Sequence, residues 1–192
     1  KIPKIILVWS IIIQIKNIKN LNKNIIVVSQ FFPPDFAPTG QLLNNLTKRL
    51  VLRDLKFKIL CGMPFYAYKT HRVSRFEVNN SRIIIRTRMS TLFKKNILGK
   101  LINGLLFCIN SIFNLIFIHP KSDLIIFTSE PPFSALIALI ISLFKKNKFI
   151  FIIYDSYPNV LFENGYINKN NFLIKLWFYL NNYVYSRAQK II

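Results

Sequence analysis

The sequence predicts an α/β fold, a doubly wound parallel sheet with helices on both faces. Three observations predict it. Short runs of Val, Ile and Phe recur without polar alternation, as strands buried on both faces require. Segments with a helical apolar period lie between those runs, so strand and helix alternate along the chain. Apolar residues make up 52% of the 192 positions, which fills the core of one domain and excludes general disorder.

The first strand is Ile25–Ser29 (IIVVS). Leu42, Leu43, Leu46, Leu50 and Val51 share a helical face, which predicts a helix over Gln41–Leu52. Phe57–Cys61 is a second strand and Arg82–Arg88 (RIIIRTR) a third. Ile97–Ile118 is a long apolar helix whose polar residues are Lys100, Asn103, Asn110 and Asn114. They fall three, seven and four apart, on one stripe, which leaves a wide apolar face. Core packing is the first use for that face. A membrane-touching face is the second, suited by Lys94-Lys95 to anionic lipid, and a transmembrane helix is the third. Asp123–Thr128 (DLIIFT) is the fourth strand, followed by a helix over Phe133–Phe144. Lys148–Tyr154 is the fifth, Phe172–Ala188 the last helix, and Lys190–Ile192 opens a sixth strand. The arrangement is Rossmann-like, without linker or internal repeat.

Residues 1–24 read as an N-terminal extension and 25–192 as the domain. Ile5–Ile15 is apolar for eleven residues, short of the roughly 20 that span a bilayer. Its basic start is not followed by a small-residue cleavage site; it reads as a docked helix or as sequence upstream of the true start, ahead of an interfacial anchor. The chain begins with Lys1 and stops within an apolar run at Ile192, so it is expected to belong to a longer protein.

Twenty-seven Lys and Arg against seven Asp and Glu give a formal charge of +20. Such a surface attracts nucleic acid, phospholipid head groups or phosphorylated substrates. Heavy use of Ile, Asn, Lys, Phe and Tyr also fits an AT-rich genome, in which Lys accumulates without a dedicated partner. Cys61 and Cys108 are far apart in sequence with no C-x-x-C, so a zinc site is not expected and two buried thiols in a reducing compartment are. His71 and His119 lack partners at ligand or triad spacing, so no metal site is expected.

In doubly wound sheets, ligands bind beyond the carboxyl ends of the strands. The loop after the first strand is Gln30-Phe31-Phe32-Pro33-Pro34-Asp35-Phe36-Ala37-Pro38-Thr39-Gly40, with no G-x-G-x-x-G. Pro38-Thr39-Gly40 opens the next helix. Thr39 caps it, Gly40 permits close approach, and the free N–H groups suit a diphosphate; an ordinary capped turn explains the same residues. After the fourth strand comes Ser129-Glu130-Pro131-Pro132, where Glu130 either orients a sugar hydroxyl or favours a helix N-terminus. After the fifth comes Tyr154-Asp155-Ser156-Tyr157-Pro158. An Asp ending an apolar strand is either a turn former or a functional carboxylate, and Asp155 is the catalytic candidate. Tyr66 and Tyr68 offer rings for a sugar or a lipid.

The runs IIVVSQFFPPDFAPTGQLLNNLTKRL, FKILCGMPFY, SDLIIFTSEPPFSALIALI, FIFIIYDSYPNVLFENGYI and YSRAQKII together resemble the N-terminal half of a family 4 glycosyltransferase. The resemblance is strongest to the bacterial branch that builds extracellular polysaccharides and O-antigens. It covers Ile25 to Ile192, and it rests on the order and spacing of motifs rather than on any one of them. Ser156-Tyr157 stands where the family often has Leu-Trp, and Leu52-Arg53-Asp54-Leu55-Lys56 replaces its usual R-G-H.

The resemblance implies a GT-B fold, in which this half binds the acceptor and a C-terminal half, absent here, binds the nucleotide-sugar donor. It implies a retaining, hexosyltransferase-type enzyme without metal or other cofactor. Its acceptor would be a polyprenyl-diphosphate-linked saccharide, met at the anionic inner face of the bacterial plasma membrane. By position, Asp155 would be catalytic, and Pro38, Thr39, Gly40, Ser129, Glu130 and Tyr157 would bind substrate. Without the donor half, the chain is not expected to turn over alone. The alternatives are a non-catalytic basic module for a membrane surface or nucleic acid, or an inactive remnant. Nucleic acid is disfavoured, because the basic residues are spread out and no RNP or helix-turn-helix signature occurs.

Overall fold

The computed structural model describes residues 24–51, 55–64, 73–79, 81–91, 96–119, 122–145, 147–168 and 170–192. The apolar run Ile5–Ile15 and residues Tyr66, Tyr68, His71, Lys94 and Lys95 lie outside the described residues.

The strands are β1 (Asn24–Val28), β2 (Lys56–Gly62), β3 (Phe76–Asn79), β4 (Arg82–Thr87), β5 (Leu124–Thr128), β6 (Lys148–Ile152) and β7 (Lys190–Ile191). They form one sheet in the order β3-β4-β2-β1-β5-β6-β7. Every neighbouring pair is parallel except β3 and β4. The helices are α1 (Pro38–Val51), α2 (Ile97–Phe113), α3 (Ser134–Phe144), α4 (Asn159–Glu163) and α5 (Phe172–Arg187).

The predicted α/β, Rossmann-like architecture is present, and its physical basis is burial on both sheet faces. Ile25, Val27, Ile59, Ile126 and Ile152 point to one face, beneath Leu43, Leu46 and Leu50 of α1. Ile26, Val28, Ile125, Phe127 and Phe151 point to the other, beneath Phe107 of α2, Ile137 and Ile141 of α3 and Val184 of α5. On that face α2 packs against α3, and α3 against α5.

Several boundaries differ from expectation. Helix α1 begins at Pro38, before the predicted Gln41, because proline suits a first helical turn where no N–H is needed. The edge strand β3 and the short α4 were not predicted. The long apolar segment is α-helical only to Phe113 and ends in a π-helical turn, Asn114–Ile118. There the Asn114 side chain donates to the Asn110 carbonyl at 2.8 Å, and Lys145 donates to the Leu115 carbonyl. The His119 Nδ1 lies 3.4 Å from the Lys58 ammonium.

The polar stripe is turned inward at Asn103, is half-buried at Asn110 and Asn114, and is exposed at Lys100. Asn103 is fully buried, whereas Leu98, Leu105, Ile109, Phe113 and Phe117 are exposed, Ile109 by 61% and Phe117 by 68%. Leu98–Ile118 is long and apolar enough to cross a membrane. In this fold Phe107, Cys108 and Leu115 lie in the core under the sheet, so it is one member of a helical layer.

Ile126 is fully buried on the central strand β5. The change Ile126→Ala should cost about 2–5 kcal/mol. A urea titration would show it as a lower midpoint at unchanged slope.

Candidate functional site

Strand order reverses between β1 and β5. α1 follows β1 onto one face and α3 follows β5 onto the other, so the two carboxyl ends diverge and leave a crevice. The segments that cross this crevice are the proline-rich loop after β1, the Ser129–Pro132 turn after β5 and the Asp155–Pro158 turn after β6.

Hydrogen bonds tie the three together. The Ser129 hydroxyl is buried and accepts from the backbone N–H groups of Tyr154 at 3.0 Å and Asp155 at 3.1 Å. The Gln30 N–H donates to the Glu130 carbonyl at 3.4 Å. Thr39 does not serve as the expected cap. It sits within the first turn of α1, and its hydroxyl donates to the Glu130 carboxylate at 2.7 Å. The Asn181 side chain, buried on α5, donates to the Tyr157 carbonyl at 2.7 Å and holds the third turn.

Glu130 is half-buried, and burial raises its pKa above the ordinary value. The Thr39 hydrogen bond pulls it the other way. Asp155 raises it further, as a like charge and through a hydrogen bond between the two side chains. Burial, then the charges of Asp155 and Glu130, also raises the pKa of Tyr157; burial and Glu130 raise that of Tyr154. Both phenols therefore remain hydroxyls and can donate.

Beside this cluster lies an open cavity of about 550 Å³. Its wall combines Gln30, Lys100, Asn103, Glu130 and Tyr157 with the aromatic or apolar Phe31, Leu101, Pro131, Pro132, Leu161, Tyr166 and Ile167. Two glycines shape it. A Cβ on Gly104 would come within 3.0 Å of Pro131, so glycine lets α2 close against the Glu130-Pro131 turn. Gly165, at φ +74°, ends α4 with paired bonds from Gly165 N–H to Phe162 and Tyr166 N–H to Leu161, which turns Tyr166 back toward the cavity.

Of the residues singled out in the sequence, Glu130 and Tyr157 line the cavity. Thr39 and Asp155 contact Glu130 from behind, and Ser129 positions Asp155. Pro38 and Gly40 do not line it. The close approach at Gly40 is by the chain itself: a Cβ there would meet the Phe31 backbone at 3.1 Å. Lys100, Asn103 and Tyr166 were missed as site residues. The only signal for the first two was their place on the polar stripe of an apolar helix. Among the described residues, no three His, Cys, Asp or Glu side chains come together as a metal cluster.

Chemically, the cavity wall offers the Glu130 carboxyl, with Asp155 against it, together with phenol and ammonium donors and aromatic side chains. No protein-family model matches the chain, and neither does any curated protein sequence. Among solved structures, sucrose-phosphate synthase from Thermosynechococcus elongatus is similar, with a TM-score of 0.63 at 9% identity. The likeness covers 88% of this chain and 41% of that one, so the chain spans about two fifths of its length. It shows the fold: a Rossmann-like half of the GT-B type.

The raised pKa of Glu130 yields a pH signature. A folded-state value above the unfolded one means that the folded chain holds the proton more tightly, so Glu130 favours folding at low pH. That contribution fades as pH rises above the ordinary value of 4.5 and through the raised one. Glu130→Gln keeps an acceptor for Thr39 and removes the titration. Its stability relative to the native chain should therefore grow with pH in urea melts across this range. A constant difference would show that Glu130 is ionised normally.

Proposed function

We propose that this domain is the acceptor-binding half of a retaining glycosyltransferase, transferring a sugar from a nucleotide-sugar to a lipid-linked saccharide in cell-surface polysaccharide synthesis. The observation that carries this reading is the Glu130–Asp155 pair. The chain has only seven acids against 27 bases, and two of the seven meet at the strand ends beside a cavity. Two carboxylates held together and partly out of water are unfavourable unless hydrogen-bond donors face them. The adjacent hydroxyls of a sugar are such donors. Glu130, on the cavity wall, would accept the reacting hydroxyl. Asp155, behind it, would draw the proton through Glu130, and Thr39 would hold the Glu130 carboxylate in place. Tyr157 and Tyr166 would pack on the sugar ring, and the Lys100 ammonium would meet the acceptor diphosphate. The donor would be held by a second Rossmann-like half across the crevice, as the order of the motifs suggests. The family 4 and O-antigen assignment rests on those motifs alone.

A seat on the inner face of the membrane fits the outward stripe of α2. Leu105, Ile109, Phe113 and Phe117 expose apolar surface on a chain of charge +20, the combination that favours an anionic bilayer. The same stripe favours the second reading, a non-catalytic membrane-surface module.

Joining the chain to a donor half should yield sugar transfer to a polyprenyl-diphosphate saccharide. Asp155→Asn and Glu130→Gln should each lower the rate by about a hundredfold or more. Full rates in both variants would sink the carboxylate assignment, and vesicle binding without any saccharide binding would favour the second reading. Separately, the chain should sediment with vesicles containing anionic lipid more than with neutral ones. Replacing Ile109 and Phe113 together by Asp should abolish this, and unchanged sedimentation would remove the stripe from the membrane contact.

A further inference from the structure

We propose that a second cavity, at the carboxyl ends of β2 and β4, is a binding site for a phosphoryl group. The cavity holds about 310 Å³ and is lined by Cys61, Arg75, Arg86, Arg88, Asn110 and Asn114, among others. It stands over a different strand pair from the Glu130 cavity, and the proposal does not depend on the sugar-transfer reading.

Charge balance is the first argument. Three guanidinium groups border one small space. Arg86 is buried and donates to the Glu77 carboxylate at 2.8 Å, the Ser74 carbonyl at 3.0 Å and the Pro33 carbonyl at 2.9 Å. Among the described residues, Glu77 is the one carboxylate that forms an ion pair there. Arg75 and Arg88 are exposed at the cavity edge and form no ion pair among the described residues. The Cys61 thiol does not supply the missing negative charge. Burial pushes its pKa up to about 12, despite the opposing pull of Arg86, and it stays neutral.

Donor geometry is the second argument. The Arg86 Nε is buried without a hydrogen-bond partner, an unmet donor in a fully desolvated position. On the facing helix, the Asn110 side-chain oxygen accepts from Asn114 at 3.1 Å, which leaves the Asn110 amide N–H groups for a ligand. Guanidinium forks and amide donors around one space match a group with three acceptor oxygens and nearly two negative charges. The volume admits the phosphoryl group with a small moiety attached. A soluble phosphorylated compound and a phospholipid head group share this chemistry.

The experiment measures binding of inorganic diphosphate and of glycerol phosphate by calorimetry, and of phosphatidate-containing vesicles by sedimentation. Ionic strength is fixed throughout. The full chain is compared with Arg75→Gln/Arg88→Gln and with Lys48→Gln/Arg49→Gln. Both pairs are exposed and remove the same charge, but Lys48 and Arg49 lie on α1, away from the cavity. Loss of Arg75 and Arg88 should weaken binding about tenfold, whereas loss of Lys48 and Arg49 should change it by no more than about twofold. Arginine dependence with the soluble probes assigns the site to soluble phosphates, and dependence confined to vesicles assigns it to a head group. Equal weakening by both pairs, or no binding of any probe, overturns the proposal.

Discussion

Glu130 sits where β1 and β5 run side by side and their chains leave for opposite faces of the sheet. Its carboxylate receives the Thr39 hydroxyl from α1 and faces Asp155 from the turn after β6. Three segments distant in sequence are thus registered on one acidic group. Removing water from a carboxylate is costly, and one hydroxyl donor offsets only part of that cost. The Glu130 side chain also lines the neighbouring cavity. The neighbouring parts serve this arrangement. Ser129 locks the Tyr154-Asp155 backbone, Asn181 fixes Tyr157, and Gly104 lets α2 close against the turn that carries Glu130.

In the helical layer over the other sheet face, α2 buries polar side chains and exposes several apolar ones. In an ordinary surface helix, the polar stripe meets water and the apolar one meets the core. In α2 the core side carries both Phe107 and the buried Asn103, while Ile109 and Phe113, with Phe117 of the π-helical turn, face outward. The inward asparagines line the two cavities at the strand ends, Asn103 in one and Asn110 with Asn114 in the other. A single helix therefore serves three environments along its length and around its axis.

The carboxyl edge of the sheet is also divided electrostatically. Carboxylates gather over β5 and β6, and guanidinium groups gather over β2 and β4. Arg86 joins the halves mechanically, because it donates both to the Pro33 carbonyl of the first crevice loop and to Glu77 of the edge strand. Hydroxyl-bearing and phosphoryl-bearing parts of a ligand would find complementary partners on opposite sides of this edge.

The sequence by itself determined the architecture. Runs such as IIVV, LIIF and FIFI offer no polar face to water, so they become central parallel strands, and helices of matching period must cover them. It also marked the loops that meet at the crevice, since prolines and acids are concentrated after β1, β5 and β6. It did not reveal β3, whose FEVN is short and mostly exposed, or α4, which covers five residues. Only the tertiary structure decided which groups meet. Glu130 and Asp155 are separated in sequence by the whole of α3 and β6, and the three arginines of the second cavity belong to β4 and to the segments flanking β3 and β4. Periodicity reports which residues need burial but not which neighbour buries them. The inward turn of Asn103 and the glycine at 104 became intelligible only once Pro131 and the cavity wall stood opposite.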